Sequence, residues 1–227
     1  MVAPTRCLTG WSPADLRRWP GRTAAALHVG TPPPCGARCD RVGPSARPDR
    51  SDHWDGLLAY VGMNRSWIDG VVVDGPDPTG DPDLTSLLAA LADAGIPARL
   101  VTQGMDPGVL AHAIAEQLVT SISLEVRTVP ERLAAVTGLA DAPDRMASSV
   151  AVLVNGDIDH DFHTAVDLET VTVDELPSLA ASLRGGRLYA IEPDPRSIGA
   201  EPSDLVALRA VARACCASLP TIVRDAG

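Results

Sequence analysis

From about residue 68 the apolar positions of the chain fall into two alternating patterns. Short β-branched runs come first: Ile68 to Val73, then Pro97 to Thr102, then Val119 to Val126. Between them lie stretches with helical spacing, such as Leu84, Leu87, Leu88 and Leu91, preceded by Asp83 as a cap and closed by Ala94-Gly95, then Pro107 to Leu118. Further on, the pattern predicts a strand over Phe162 to Val166, a helix over Val173 to Leu183 and a strand over Arg187 to Ile191. A helix over Ser203 to Ala217 and a strand over Thr221 to Arg224 complete it. With Ala24 to Val29 as the first strand, the series reads as about six or seven βα units, hence a parallel sheet. One segment is ambiguous. Val150 to Val154 is β-branched enough for a strand, yet Met146, Val150, Leu153 and Val154 share a helical stripe ending at Asn155-Gly156. Residues 30–56 hold no period and are rich in Pro, Gly, Arg and Asp. A loop of that length is usually functional or disordered, and in α/β folds it emerges where ligands sit.

Composition narrows the chemistry. The 227 residues carry a formal charge of −10, and all 19 basic residues are arginine. Without lysine there is no phosphate-loop, Schiff-base or kinase-type ATP lysine. Basic clusters are sparse, so no nucleic-acid partner is expected. One Phe and two Tyr imply an aliphatic core. Arg17-Arg18 precede the apolar run 24–29, but that run is too short for a signal segment and ends in prolines, and no stretch is long enough to span a bilayer. A cytoplasmic protein with no membrane partner is expected. Five cysteines, an odd number, favour thiols or metal ligands over a disulfide framework.

Trp19-Pro-Gly-Arg22, an apolar strand, and then Cys35-Gly-Ala-Arg-Cys39-Asp-Arg-Val42 resemble the start of radical S-adenosylmethionine proteins. The nearest resemblance is to the activating proteins of anaerobic ribonucleoside-triphosphate reductase and other glycyl-radical enzymes, where a Trp-Pro-Gly-Lys/Arg stretch leads into a CxxxCxxC loop. The order continues downstream. Asp69 to Thr79 resembles the family strand and its GGEPT turn, Asp81 to Leu84 its Gln-Pro-Asp-Leu, and Leu100 to Gly104 its Asp-Thr-Asn-Gly. Glu125-Val-Arg127, Val136-Thr-Gly138 and Asp161 to Val166 resemble its Asp-Ile-Lys, Val-Thr-Gly and Glu-Phe-Arg-Thr-Thr-Val segments. The match is collinear over roughly residues 11–192.

The resemblance implies a partial, open (β/α)6-type TIM barrel with parallel strands, residues 1–23 forming an N-terminal segment and 24–227 the barrel, with the cluster loop at 30–56. It also makes 144–155 a helix. It implies a 4Fe-4S cluster and S-adenosylmethionine as cofactors, with Cys35 and Cys39 as cluster ligands. Gly75, Asp77, Pro78, Thr79, Thr102, Gln103 and His163 would be the cofactor-binding residues. The motif is degenerate, however. The third cysteine position is Val42, which does not ligate iron. Pro76 stands for the second glycine of the turn and Asp77 for its glutamate, while His163 replaces an arginine. The expected function is therefore a pseudoenzyme: a radical-S-adenosylmethionine-fold protein without a standard cluster and without catalytic residues. It would act as a binding or regulatory module for a glycyl-radical enzyme or another protein partner. The alternative is an active glycyl-radical activating oxidoreductase with unusual ligation, drawing on Asp40, His28, His53, Cys7, Cys215 or Cys216.

Outside the motif, Asp157, Asp159, His160, Asp161 and His163 read as a metal patch or, more plainly, as a solvated acidic loop with one inward histidine. Cys215-Cys216 reads as core packing. Trp11, Trp19, Trp54 and Trp67 read as packing of the N-terminal segment rather than a partner surface. The sequence shows no nucleophile elbow and no Ser/His/Asp triad order.

Overall fold

The computed structural model describes residues 8–30, 50–167, 170–194 and 202–224. Cys7, Cys35, Cys39, Asp40 and Val42 lie outside them. The fold is α/β, with a mostly parallel sheet whose strands follow the order β1 to β8 along the chain. The chain divides into two units, Met1–Ile122 and Ser123–Gly227.

In the first unit β1 (Leu8–Asp15) pairs antiparallel with β2 (Ala24–Val29), and β3 (Gly70–Asp74) and β4 (Ala98–Thr102) follow in parallel. Ala24 to Leu27 and Val71 to Val73 are buried on both faces, which is why they read as unbroken apolar runs. Strand β1 was not expected. Its sequence, with Gly10 and Pro13, shows no alternation, and it lies at an edge with register shifts at Leu8/Gly10 and Ser12/Asp15. Edge position is what makes a proline tolerable there. Helix α1 (Arg50–Met63) begins inside the stretch read as a loop and buries Trp54, Leu57 and Val61. Trp11 stacks on its Tyr60 at 5.2 Å, so α1 covers one face of β1. Helix α2 (Leu84–Asp93) buries all four leucines of the expected stripe, and Gly95 at φ 65° lets Ile96 N donate to Leu91 O at 2.9 Å. Helix α3 (Pro107–Ala115) is capped by Asp106, which accepts from Gly108 N and Val109 N.

The last three residues of β5 (Ser121–Glu125) open the second unit and are followed by α4 (Pro130–Thr137), absent from the expected pattern. Helix α5 (Ala142–Asn155) settles the ambiguous segment as helix: Met146, Ser149 and Leu153 form its buried face. Strand β6 (Asp159–Val166) pairs in parallel with β7 (Tyr189–Pro193), and β7 with β8 (Thr221–Val223). Phe162 and Tyr189 are the largest fully buried side chains, and Tyr189 Oη donates to Thr164 Oγ1 at 2.9 Å. Helix α7 spans Pro202–Cys215. Among the described residues no helix is long and apolar enough to cross a membrane.

The helix expected over 173–183 divides into a 3-10 turn, Val173–Glu175, and α6 (Leu176–Ser182), with Pro177 in the first turn of α6. Glu175 closes a capping box: its carboxylate accepts from Thr172 N at 2.7 Å and Thr172 Oγ1 at 3.0 Å, and pairs with Arg132 at 3.1 Å. The Thr172 N–H, followed by Arg132, holds this carboxyl below its ordinary range despite partial burial. A depressed folded-state pKa contributes stability at pH values above the unfolded pKa, and that contribution is lost as pH falls through the folded value. Glu175→Gln should therefore be less stable than the parent at neutral pH. The gap should narrow below about pH 4, near the unperturbed glutamate value. Urea midpoints measured across pH 7 to 3 check this; a gap independent of pH would refute it.

Candidate functional site

The turns after β3 and β4 bring most of the expected cofactor residues together. Asp77 caps the 3-10 turn Pro78–Gly80, with an extended φ of −155°, and its side chain points into the protein at 9% exposure. Oδ1 accepts from Thr79 N at 3.4 Å, from Thr79 Oγ1 at 2.9 Å and from Thr102 Oγ1; Oδ2 accepts from Met105 N at 3.1 Å. Each hydroxyl also accepts. Thr102 Oγ1 takes Gly104 N at 3.0 Å, and Thr79 Oγ1 takes Asp106 N at 3.2 Å. Gln103 Nε2 donates to Pro76 O at 2.9 Å. Gly75 lies against Val29, so close that a Cβ would stand 2.1 Å from the Val29 carbonyl oxygen. Gly75, Asp77, Pro78, Thr79, Thr102 and Gln103 thus form one buried knot whose polar atoms largely satisfy one another.

His163 belongs to the second unit. It is buried on β6, and its Nδ1 lies 3.0 Å from Ser123 Oγ, while its carbonyl accepts from Val126 N at 2.8 Å. The patch around it is not the solvated loop expected. His160, Asp161 and His163 are all buried, and only Asp157 and Asp159 reach solvent. The reason is that 159–166 is a strand rather than a loop, and past its exposed first residue, Asp159, residues 160–164 are buried. Asp161 pairs with Arg224 at 3.1 Å, which also holds Glu192 at 2.7 Å, and His160 Nδ1 bonds Ile158 O. The cysteine pair divides as well: Cys215 is buried, and burial pushes its thiol pKa up, whereas Cys216 is exposed. Among the alternative cluster ligands, His53 is half-buried on α1, while Cys7 and Asp40 lie outside the described residues.

A second polar cluster in the first unit was missed. Asp74 ends β3 and is 4% exposed. Its Oδ2 pairs with an Arg18 guanidinium nitrogen, and Oδ1 lies 2.6 Å from His28 Nδ1. Arg18 also pairs with Asp15 at 3.2 Å, and His28 Nε2 lies 3.4 Å from Ser12 Oγ. A signal was present in the sequence. Ala24, Ala26 and His28 share one face of β2, Val72 and Asp74 the matching face of β3, so a polar residue ends the same phase on two neighbouring strands. Beneath them Trp19, Ala24, Ala26, Val72 and Val101 make an apolar floor.

The sequentially ordered α/β sheet is a fold that this chain shares with several solved structures. Among solved structures, Streptococcus suis SuiB bound to S-adenosylmethionine matches with TM-score 0.57 and 15% identity over 82% of this chain and 45% of SuiB. TYW1 with a lysine-pyruvate adduct bound matches with TM-score 0.57 and 11% identity, covering 86% of this chain and 74% of TYW1. SuiB bound to the precursor peptide SuiA matches with TM-score 0.53 and 16% identity over 80% of this chain and 44% of SuiB. At these identities the likeness is one of fold, and the chain spans under half the length of SuiB. No protein-family model matches the sequence, and no curated protein is significantly similar to it.

Among the described residues, the side chains that the resemblance assigns to the cofactor are turned toward one another. An ammonium group needs acceptors turned toward it, but the Asp77 carboxylate faces inward and already takes four donors from its own chain. The Gln103 amide nitrogen is engaged by Pro76. For the cluster, the sequence supplies Cys35 and Cys39 and then Val42. No group of three or more His, Cys, Asp or Glu residues placed to hold a metal ion occurs among the described residues.

Proposed function

We propose that this chain is a radical-S-adenosylmethionine-fold protein that does not carry a standard 4Fe-4S cluster and acts as a binding or regulatory module for a protein partner. The observation that carries the reading is the inward-turned carboxylate of Asp77, saturated by Thr79, Thr102 and Met105. Val42 at the third cysteine position supports it independently. A polypeptide ligand suits the reading, since SuiB, which shares the fold, has been captured with the precursor peptide SuiA. A glycyl-radical enzyme is the partner class that the sequence resemblance suggests.

The test is anaerobic reconstitution of the full chain with iron and sulfide, followed by iron quantification, ultraviolet–visible and EPR spectra, and calorimetry with S-adenosylmethionine. The expected outcome is a colourless protein with substoichiometric iron and no binding heat. A reducible cluster that cleaves S-adenosylmethionine would overturn the proposal in favour of an active enzyme.

A further inference from the structure

We infer that Ser12, His28 and Asp74 form a nucleophilic relay, a second site on this fold that takes an acyl ester as substrate and goes beyond the binding role proposed above. The absence of a triad order expected along the chain does not decide the matter, because such sites are defined by geometry and roles rather than by sequence position. Asp74, a carboxylate, only accepts, so the 2.6 Å contact places the proton of neutral His28 on Nδ1. Nε2 is then left with its lone pair toward Ser12 Oγ, 3.4 Å away, a length common where no substrate is bound and within reach of tightening.

Exposure grades along the relay in the direction a nucleophile requires. The Asp74 side chain is 5% exposed, the His28 side chain 29%, and Ser12 is half-buried. Arg18 holds the far oxygen of Asp74 and so fixes the plane of the carboxylate against the imidazole. Strand β1 presents the hydroxyl unusually. Register shifts on both sides of the Gly10–Ser12 stretch bend the strand there, a device that re-aims side chains beside functional sites. Gly10 pairs directly with His28, and no described residue lies within 4 Å of where its Cβ would stand. Among the described residues, Ser12 and His28 are therefore not crowded by a side chain from the β1 position between them, on the face of β1 away from Trp11 and α1.

In the first half-reaction Ser12 Oγ bonds to the ester carbonyl carbon, its proton moves to His28 Nε2, and the C–O bond to the alcohol breaks as the alcohol departs with that proton. In the second half, water attacks the acyl-Ser12 ester through the same imidazole and releases the carboxylic acid, restoring the hydroxyl. Ser12 and His28 are the catalytic residues; Asp74 is a positioning residue.

The test uses an alkyl fluorophosphonate on the folded full chain, forming an Oγ–P bond with loss of fluoride. Cleavage after arginine yields the peptide Cys7–Arg17, in which Ser12 is the only serine, so mass spectrometry locates the adduct. The expected result is labelling at Ser12 that Ser12→Ala abolishes and that His28→Asn slows roughly 100-fold. Ring 15N spectra should show His28 as the Nδ1–H tautomer, lost in Asp74→Asn; a carboxylate that merely pairs with Arg18 would not set that tautomer. Failure of the folded parent to label at Ser12, or equal labelling of the His28 variant, would refute the relay. Neither outcome bears on whether a cluster forms.

Discussion

Asp77→Ala is expected to unfold this protein more readily than almost any other single polar substitution in the first unit. The carboxylate joins two turns: that after β3, through Thr79 N and Oγ1, and that after β4, through Thr102 Oγ1 and Met105 N. The hydroxyls can rotate toward other acceptors, but the Met105 N–H is fixed by the backbone and loses this partner outright. Removing an ionised acceptor from buried donors costs about 3 kcal/mol. For a chain of this length that is a fall in Tm of roughly 6–12 °C. Asn in the same place keeps one acceptor but turns an NH2 toward either the hydroxyls or Met105 N, so Asp77→Asn should fall between the parent and Asp77→Ala. Differential scanning calorimetry orders the three. If Asp77→Ala melts with the parent, the inward carboxylate does not exist in solution, and the main support for a cofactor-free site goes with it.

The parallel strands were legible because burial on both faces leaves an unmistakable mark. Val71-Val72-Val73 and Ala24 to Leu27 are apolar without interruption, and helix α2 between strands carries an equally plain leucine stripe. Strand β1 left no mark, since an edge strand with Gly10 and Pro13 is shaped by its pairing with β2 rather than by propensity. Helix α1 was hidden by a polar first turn that merges with the Pro- and Gly-rich stretch before it, although Trp54, Leu57 and Val61 have helical spacing. At the candidate site, resemblance sufficed to gather Asp77, Thr79, Thr102 and Gln103. It could not say which way they face, because the direction of the carboxylate depends on the Met105 backbone 28 residues away. The His28–Asp74 pair, 46 residues apart, likewise depends on the β2–β3 register that no local pattern encodes. The patch at 157–163 reads by composition as a solvated loop with one inward histidine; Asp157 and Asp159 are exposed as that reading has it, whereas His160, Asp161 and His163 are all buried because they lie on β6.

Gly75→Ala is expected to match Asp77→Ala in size but to arise from backbone packing rather than from hydrogen bonding. Gly75 is not among the glycines with positive φ, so alanine could adopt its conformation without strain. What excludes a side chain is the close approach of β2: an added Cβ would stand 2.1 Å from Val29 O and 3.1 Å from Val29 C. Those are main-chain atoms at the end of a strand paired on both sides, with no rotamer to yield, so either β2 or the turn must move. Overpacking against backbone of this kind costs roughly 3 kcal/mol. Gly80, five residues on and with no described residue within 4 Å of its added Cβ, is the internal control, and Gly80→Ala should be neutral or slightly stabilising. The pair separates two meanings of the same glycine. If Gly75 is kept to let a cofactor approach the turn, Gly75→Ala should fold as well as Gly80→Ala and differ only in ligand binding. If it is kept because β2 crosses there, urea midpoints should fall for Gly75→Ala alone, with no ligand present. The 2.1 Å approach to Val29 O selects the second outcome.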